Sequence, residues 1–175
     1  MSRLPMIQPA DMPEALARLV ANRPPLNLYK VLANAPVAAQ GFMALGGALL
    51  RESSLEPVLR ELVILRVGAL SEAAYEVHQH RRVAAVAGAS PDKIAAALRE
   101  RDGSALDELE RAVLAFTDAV VHEVKAPEHL FDAVAKRLDD RQVSELILTI
   151  GFYMLVCRFL ENAEIEIEAQ TVPLS

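Results

Sequence analysis

Hydrophobic residues recur every three or four positions through most of this chain, and the strict alternation typical of a half-buried strand is nearly absent. Spacing of this kind predicts amphipathic helices. Proline, glycine and capping residues interrupt the pattern at intervals, as they do at helix ends. We therefore predict an all-α protein that folds as a single domain over residues 1–175 and contains seven or eight helices.

Helix-ending and helix-starting residues place these helices along the chain. Gly88 is suited to end one helix, and Ser90-Pro91 supplies a cap and a first-turn proline for the next. Ser104 followed by Asp107 resembles a capping box. The predicted helices are a segment after Asp11 that ends at Pro24-Pro25, then 28–33, 36–50, 57–70, 71–88, a segment from Ser90, then 104–124, 127–138 and 139–162.

The ends of the chain differ in pattern from its middle. We expect the core with the chemical motifs at about residues 36–160, preceded by an N-terminal extension at 1–27. The tail, 163–175, begins with alternating glutamate and isoleucine at 164–168. A two-residue period predicts either a small strand or an arm at a subunit interface.

Composition and charge exclude several classes of function. The net charge is −6 with both signs interspersed, whereas a nucleic-acid partner selects for a clustered basic surface. No apolar run reaches the roughly 18 residues that a membrane span needs, and the early prolines are not typical of a signal peptide. We expect a soluble cytoplasmic protein without membrane partners. Cys157 is the single cysteine, which excludes an internal disulfide.

The hydrophobic fraction of 53% is high for a soluble chain of this length. Closely packed alanine-rich helices explain part of it. Buried subunit interfaces explain the rest, so we expect a homo-oligomer.

Residues 72–80, EAAYEVHQH, hold the most concentrated candidate chemistry. At about 100° per residue, Glu76 and His80 fall on the apolar side of the helix with Ala84, whereas His78 falls on the opposite side. Unpaired buried charges cost several kcal/mol, and i, i+4 spacing lets Glu76 and His80 pair. The carboxylate would raise the histidine pKa and desolvation would lower it. Such a pair suits general acid–base chemistry.

A second carboxylate, Glu61, shares a helical row with Ile64 and Gly68 and has no basic partner on that row. It therefore needs a partner from another helix. The short connection near Ser71 makes the two helices antiparallel neighbours, so we expect Glu61 to face Glu76 and His80.

Structural explanations compete with these functional ones. A glutamate and a histidine four residues apart are more often a surface ion pair than a catalytic one. Tyr75 is by default a half-exposed packing residue. Cys157 lies among apolar neighbours and is best explained as a small buried hydrophobe.

Residues 60–94, "RELVILRVGAL…YEVHQHRRVAAVAGASPDKI", resemble the core motif of the carboxymuconolactone decarboxylase family, which includes the alkylhydroperoxidase D-like proteins. The resemblance extends more weakly over about 28–160. It implies an all-α fold with a small site on the motif helices and subunits assembled as dimers, trimers or hexamers.

The peroxidase branch of that family has a glutamate, eleven residues, Cys-x-x-Cys and then a histidine four residues later. Its glutamate and histidine correspond to Glu61 and His80, but Ala73 and Glu76 stand at the two cysteine positions. The resemblance therefore implies no thiol peroxidase activity.

The remaining residues, Glu61, Glu76 and His80, resemble the decarboxylase branch more closely. The resemblance then implies His80 as proton donor or shuttle, Glu76 as the group that orients and charges it, and Glu61 as a second acid or base. Substrate binding would involve Tyr75 and a cation, for which Arg66 and Arg81 are the candidates. This reading needs no cofactor, and the substrate would be a small carboxylated lactone or enol.

Two other functions stay open. Glu61, Glu76 and His80, joined by His122 or His129, could supply metal ligands, although the Glu-x-x-His spacing of di-iron helices is one residue shorter than the spacing here. A relative that lost its cysteines could also persist as a non-catalytic oligomeric binding protein.

Overall fold

The structure is a computed structural model, and it describes residues 2–169. Within that range the chain forms nine α-helices, two short 3-10 helices at Pro9–Asp11 and Gly103–Ala105, and no strand. The helices are α1 Glu14–Val20, α2 Asn27–Leu32, α3 Pro36–Arg51, α4 Pro57–Leu70, α5 Ala74–Ala87, α6 Pro91–Ala97, α7 Glu108–Glu123, α8 Glu128–Ala135 and α9 Asp140–Asn162. The predicted all-α class is confirmed; the described residues form one or two more helices than the seven or eight expected, and each helix falls in one of the segments that the helix-end residues delimit.

Several helix ends follow from local sequence. Ser90 accepts a hydrogen bond from the backbone N–H of Lys93 and caps α6. Gly88 ends α5 with a φ of 103°, a conformation that favours glycine. Asp139 and Gln142 bond reciprocally at the start of α9. The ends at Ser90 and Gly88 match the predicted end residues, and the third matches the predicted helix start at residue 139.

One predicted cap was wrong, and the first helix begins later than predicted. The capping box of α7 is formed by Asp107 and Glu110, because Ser104 belongs to a 3-10 turn where its hydroxyl donates to Asp102. Asp11 ends the 3-10 helix Pro9–Asp11, so that α1 begins only after Pro13.

Of the two structures predicted for the tail, the strand is not formed over its described residues, and the arm at a subunit interface stays a prediction. Residues 163–169 form no strand, and Ile165 is buried while Ile167 is 40% exposed. The rest of the predicted tail, 170–175, lies outside the described residues.

The chain falls into two compact units, one formed by Ser53–Arg158 and the other by the chain up to Glu52 and from Phe159 on. In the unit made of the two ends of the chain, α1 and α2 pack against α3, and the backbone N–H of Asn27 donates to Glu168. In the unit Ser53–Arg158, α4 packs against α5, α6 and α7. The single-domain organisation stays a prediction. Every candidate site residue named above lies in the unit Ser53–Arg158.

The corner between α4 and α5 brings their ends into close contact. A Cβ at Gly68 would lie 3.1 Å from Val77 Cγ2 and 3.7 Å from Glu76 Cγ. Glycine at this position therefore lets the first turn of α5 approach α4, which places Glu76 against the helix that carries Glu61.

Helix α9 is tied to the segment before α4. Its Glu145 carboxylate accepts hydrogen bonds from both Ser54 N–H and hydroxyl at 2.7 Å, and from the Ser53 hydroxyl at 2.9 Å. Burial would raise the pKa of Glu145, but these bonds and one from Arg141 outweigh it and lower the pKa to about 2. The charged Glu145 carboxylate and its hydrogen bonds therefore hold α9 beside the start of α4.

By length and composition alone, α9 is apolar enough to cross a membrane, with a mean hydropathy of 1.7 over an 18-residue window that is 50% buried. The core helix of a soluble protein has the same length and composition, so this property alone does not assign α9 to a bilayer.

Candidate active site

Glu61 lies on a helix that is surrounded by protein. Every residue of α4 from Leu59 to Gly68 is buried, and Glu61 itself is 0% exposed. A carboxylate with no access to water needs a charged or hydrogen-bonding partner. Two partners are present, His80 from α5 and the neighbouring Arg60.

His80 lies between two carboxylates. Its Nδ1 is 2.7 Å from Glu61 Oε2, and its Nε2 is 3.1 Å from Glu76 Oε1. The structure thus brings together the three residues that the sequence predicted to meet. Their catalytic role stays a prediction.

The surroundings of His80 decide its protonation. Burial is the largest single influence and lowers the pKa of His80, but the charges of Glu76 and Glu61 and the hydrogen bond to Glu61 together outweigh burial and raise the pKa to about 10. At neutral pH the ring is therefore an imidazolium, with Nδ1 hydrogen-bonded to Glu61 and Nε2 in an ion pair with Glu76.

One carboxylate oxygen of Glu76 accepts no hydrogen bond. The 3.1 Å contact between His80 Nε2 and Glu76 Oε1 is an ion pair, and this buried Oε1 accepts no hydrogen bond from the described residues. Buried polar atoms without a partner are rare and often mark a site for a ligand or an ordered water. Glu76 Oε1 is the open acceptor of this cluster.

Sequence reasoning missed Arg60 and Tyr153. The Arg60 guanidinium lies 3.4 Å from Glu61 Oε1; as the direct neighbour of Glu61 it was not on the same helical row. Tyr153 reaches His80 from α9, with ring centroids 5.1 Å apart and an interplanar angle of 83°. No local signal relates Tyr153 to His80, because the two residues are far apart in sequence.

Tyr153 is expected to support the charge on His80. A cation over the face of an aromatic ring, within about 6 Å of its centroid, is stabilised by roughly 0.5–2 kcal/mol. We expect the perpendicular His80 ring to direct its charged edge at the Tyr153 face, so Tyr153→Leu should lower the pKa of His80 by about 0.5–1. NMR titration of the histidine ring signals measures this shift. Tyr153→Phe, the matched control, retains the ring and should leave the titration in place; an equal effect of both variants would contradict a role for the ring.

The other predicted site residues lie in different surroundings. Tyr75 is 2% exposed rather than half exposed, because the face of α5 that carries it is covered. Gln79 is also buried, whereas its neighbour His78 is exposed, as predicted.

The two candidate cations for a substrate carboxylate are engaged elsewhere. Arg66 Nε lies 3.2 Å from Asp118 Oδ1 of α7, and Arg81 pairs with Glu100. Burial lowers the pKa of Arg66 and the charge of Asp118 opposes that change. The structure therefore does not bring Arg66 or Arg81 into contact with the His80 cluster.

The side chains of Glu61, Glu76 and His80 are arranged to hold a proton rather than a metal ion. Both ring nitrogens of His80 face carboxylates, and a metal would have to displace a proton from a group with a pKa of about 10. His122 and His129 are exposed on α7 and α8. Across residues 2–169, no group of three or more His, Cys, Asp or Glu side chains is arranged to hold a metal ion.

Solved structures of other proteins share this fold. An AhpD-core, peroxidase-related protein of uncharacterized function from Ralstonia eutropha JMP134 has a TM-score of 0.84 at 19% identity, with 96% of this chain and 93% of that chain covered. An uncharacterized peroxidase-related protein from Silicibacter sp. TM1040 has a TM-score of 0.77 at 19% identity, covering 95% and 91%. These identities show the fold alone.

A third similar structure is the debrominase Bmp8, in a cysteine-to-alanine variant bound to 2,3,4-tribromopyrrole. Its TM-score is 0.77 at 19% identity, with 97% of this chain and 93% of that chain covered. No curated protein matches the sequence significantly.

The carboxymuconolactone decarboxylase family matches residues 36–119. That segment runs from the start of α3 into α7, and it contains Glu61, Glu76 and His80, whereas Tyr153 lies beyond it. The chain thus matches the carboxymuconolactone decarboxylase family over residues 36–119 and has the alkylhydroperoxidase D-like helical fold.

Proposed function

We propose that this protein is a carboxymuconolactone decarboxylase-like enzyme that performs acid–base chemistry on a small carboxylated lactone or enol, without a cofactor and without cysteine redox chemistry. The observation that carries the proposal is the His80 imidazolium held between two buried carboxylates. Paired acids around a charged histidine are a means of positioning a proton for transfer.

The cluster has an inner and an outer end. The exposed fraction of the side chain is 0% for Glu61, 5% for Glu76 and 11% for His80. Glu61 therefore orients the ring from inside through Nδ1. The Nε2–H of His80 and the open Oε1 of Glu76 form the end that a substrate would approach.

The proposed reaction begins with loss of carbon dioxide from the substrate. The bond between the ring carbon and its carboxylate breaks, and the electron pair passes through the conjugated double bond to the lactone carbonyl oxygen, which gives a dienolate. His80 then donates its Nε2 proton to the distal carbon. Because the pKa of His80 is about 10, the neutral imidazole regains a proton from water at neutral pH. Glu76 keeps the ring charged and oriented.

A cation must hold the substrate before its carboxylate leaves. Arg60 is the buried guanidinium beside Glu61, at 3.4 Å from Oε1, and we assign this role to it in place of Arg66 and Arg81. Its charge also offsets that of the two glutamates, which would otherwise repel an anionic substrate.

The thiol peroxidase reaction has little support. Ala73 and Glu76 stand where the redox cysteines would be, and Cys157 is buried on α9. A dithiol couple therefore has no second sulfur. The debrominase relative extends the range of small-ring substrates in this fold, but it does not assign one to this chain.

The test is the release of carbon dioxide from carboxymuconolactone and related carboxylated lactones. His80→Asn should lower kcat by about 100-fold or more, the usual contribution of a positioned acid or base. His78→Asn, two residues away on the exposed side of α5, is the control and should change kcat little.

Equal turnover by the wild-type protein and His80→Asn would refute the proposed proton donor. Absence of turnover on every carboxylated lactone and enol, together with tight binding of one of them, would instead support the non-catalytic binding function.

A further inference from the structure

The two carboxylates that flank His80 differ in how fully they are engaged. Glu61 is bonded at both oxygens, since Oε2 lies 2.7 Å from His80 Nδ1 and Oε1 lies 3.4 Å from the Arg60 guanidinium. Glu76 Oε1, in contrast, is buried and accepts no hydrogen bond from the described residues. Glu76 is therefore the carboxylate that can accept a proton from a bound molecule.

The decarboxylation proposed above leaves this acceptor without a role. That reaction moves only the Nε2 proton of His80, and Glu76 takes part in it through its charge. A buried acceptor without a donor costs about 1–3 kcal/mol, and such an atom in a folded protein calls for an explanation such as a ligand or a catalytic step. Proton transfer to Glu76 would supply that explanation.

The chemistry of Glu76 Oε1 defines the group that would lie against it. A substrate carboxylate in that position would be repelled by Glu76 and has no proton to donate. An enol O–H donates to Oε1 and adds no charge. The carboxylate of the same molecule would bind Arg60, the cation to which it is assigned above.

A proton donor lies beside this acceptor. His80 Nε2 is 3.1 Å from Glu76 Oε1, and the two residues are one turn apart on α5. In an enol, the oxygen that loses its proton and the carbon that gains one are only two bonds apart. One molecule can therefore lie with its O–H at Oε1 and its carbon at Nε2, which is the arrangement that paired base and acid catalysis requires.

We propose that this protein also catalyses the keto–enol tautomerisation of small 2-oxo acids, with Glu76 as the base and His80 as the acid. The enol O–H bond breaks and its proton passes to Glu76 Oε1, while the electron pair left on oxygen forms the C=O bond. The electron pair of the C=C bond takes the Nε2 proton of His80 and forms a C–H bond. Transfer of the proton from Oε1 to Nε2, across 3.1 Å, restores both groups.

This tautomerisation gains and loses no atoms, so it needs no oxidant, reductant or co-reactant. It rests on the proposed function for the position of the substrate and for His80 as the proton donor, but it does not require the loss of carbon dioxide.

The first test follows the enol of phenylpyruvate, whose conversion to the keto form is measured by the loss of ultraviolet absorbance. The full chain should accelerate this conversion above the rate in buffer. Glu76→Gln keeps an oxygen that can accept the enol O–H but cannot take its proton, so kcat should fall by about 100-fold while KM changes little. A retained KM also shows that the variant is folded. His78→Asn, on the exposed side of α5, should match the wild-type protein.

The second test uses a readout that a merely structural role would not change. Because His80 donates from one side, conversion in D2O should place deuterium on one face of the carbon next to the carbonyl. Reduction of the product to phenyllactate of one configuration lets proton NMR distinguish the two deuterated forms. Uncatalysed conversion would label both faces equally.

The outcomes separate this activity from the decarboxylation. Glu76→Gln should lower the rate of lactone decarboxylation by a smaller factor, because Glu61 still holds His80 charged, whereas His80→Asn should lower both rates. Conversion of the enol at the buffer rate, label on both faces, or a wild-type kcat in Glu76→Gln would overturn the tautomerase activity alone. Enol conversion with these properties but without decarboxylation would support it and refute the proposed decarboxylase function.

Discussion

The free energy of unfolding is expected to fall as the pH rises from about 6.5 to 10, and His80 should account for roughly 5 kcal/mol of that fall. The pKa of His80 is raised from 6.5 to about 10 in the folded chain, so the folded state binds the proton more tightly than the unfolded state does. The stabilisation is therefore complete below pH 6.5 and is lost as the pH passes through the folded value.

Urea denaturation at a series of pH values measures this dependence. His80→Asn lacks the titrating group, so the difference between its curve and that of the wild-type protein isolates the contribution of His80 from other groups that titrate near pH 10. His78→Asn should follow the wild-type curve. If the wild-type and His80→Asn curves run parallel between pH 6.5 and 10, the His80 ring is not held charged by its two carboxylates.

Glu61→Leu is expected to lower the free energy of unfolding at pH 7 by about 3–5 kcal/mol, the usual result of removing one member of a buried ion pair. The carboxylate is 0% exposed and lies 2.7 Å from His80 Nδ1. Its loss would leave a buried imidazolium N–H without its acceptor. Thermal or urea denaturation measures the change.

Two further variants define the mechanism of that loss. Glu61→Leu combined with His80→Leu and Glu76→Leu removes all three charges of the cluster and should recover much of the stability, because replacing an entire set of buried ionic partners with apolar residues is often tolerated. Glu100→Leu breaks the exposed pair with Arg81 and should cost less than about 1 kcal/mol. A Glu61→Leu effect as small as that of Glu100→Leu would show that the buried pair does not stabilise the fold.

Features governed by neighbouring residues could be predicted from the sequence. Ser90, Gly88 and the Asp139–Gln142 box bound their helices through contacts within a few positions. The i, i+4 geometry of α5 placed Glu76 and His80 on one side for the same reason. The short α4–α5 corner, with Gly68 at the contact, then predicted that Glu61 would meet them.

Features governed by packing could not be predicted in this way. Helix α4 is buried all round from Leu59 to Gly68, so its periodicity has no polar side from which the direction of Arg66 could be inferred. Tyr75 is buried because the face of α5 that carries it is covered. The choice of Asp107 over Ser104 as the cap of α7 depended on the competing turn at Asp102.

The sequence by itself thus determined the helices and the association of Glu61, Glu76 and His80, because both follow from hydrogen bonds and spacings over short stretches of chain. Only the tertiary structure decided the protonation of His80, since its pKa depends on the balance between depth of burial and two carboxylate charges at 2.7 and 3.1 Å. It alone brought Tyr153 of α9 against the His80 ring, because contacts between residues distant along the chain arise from packing and have no local pattern.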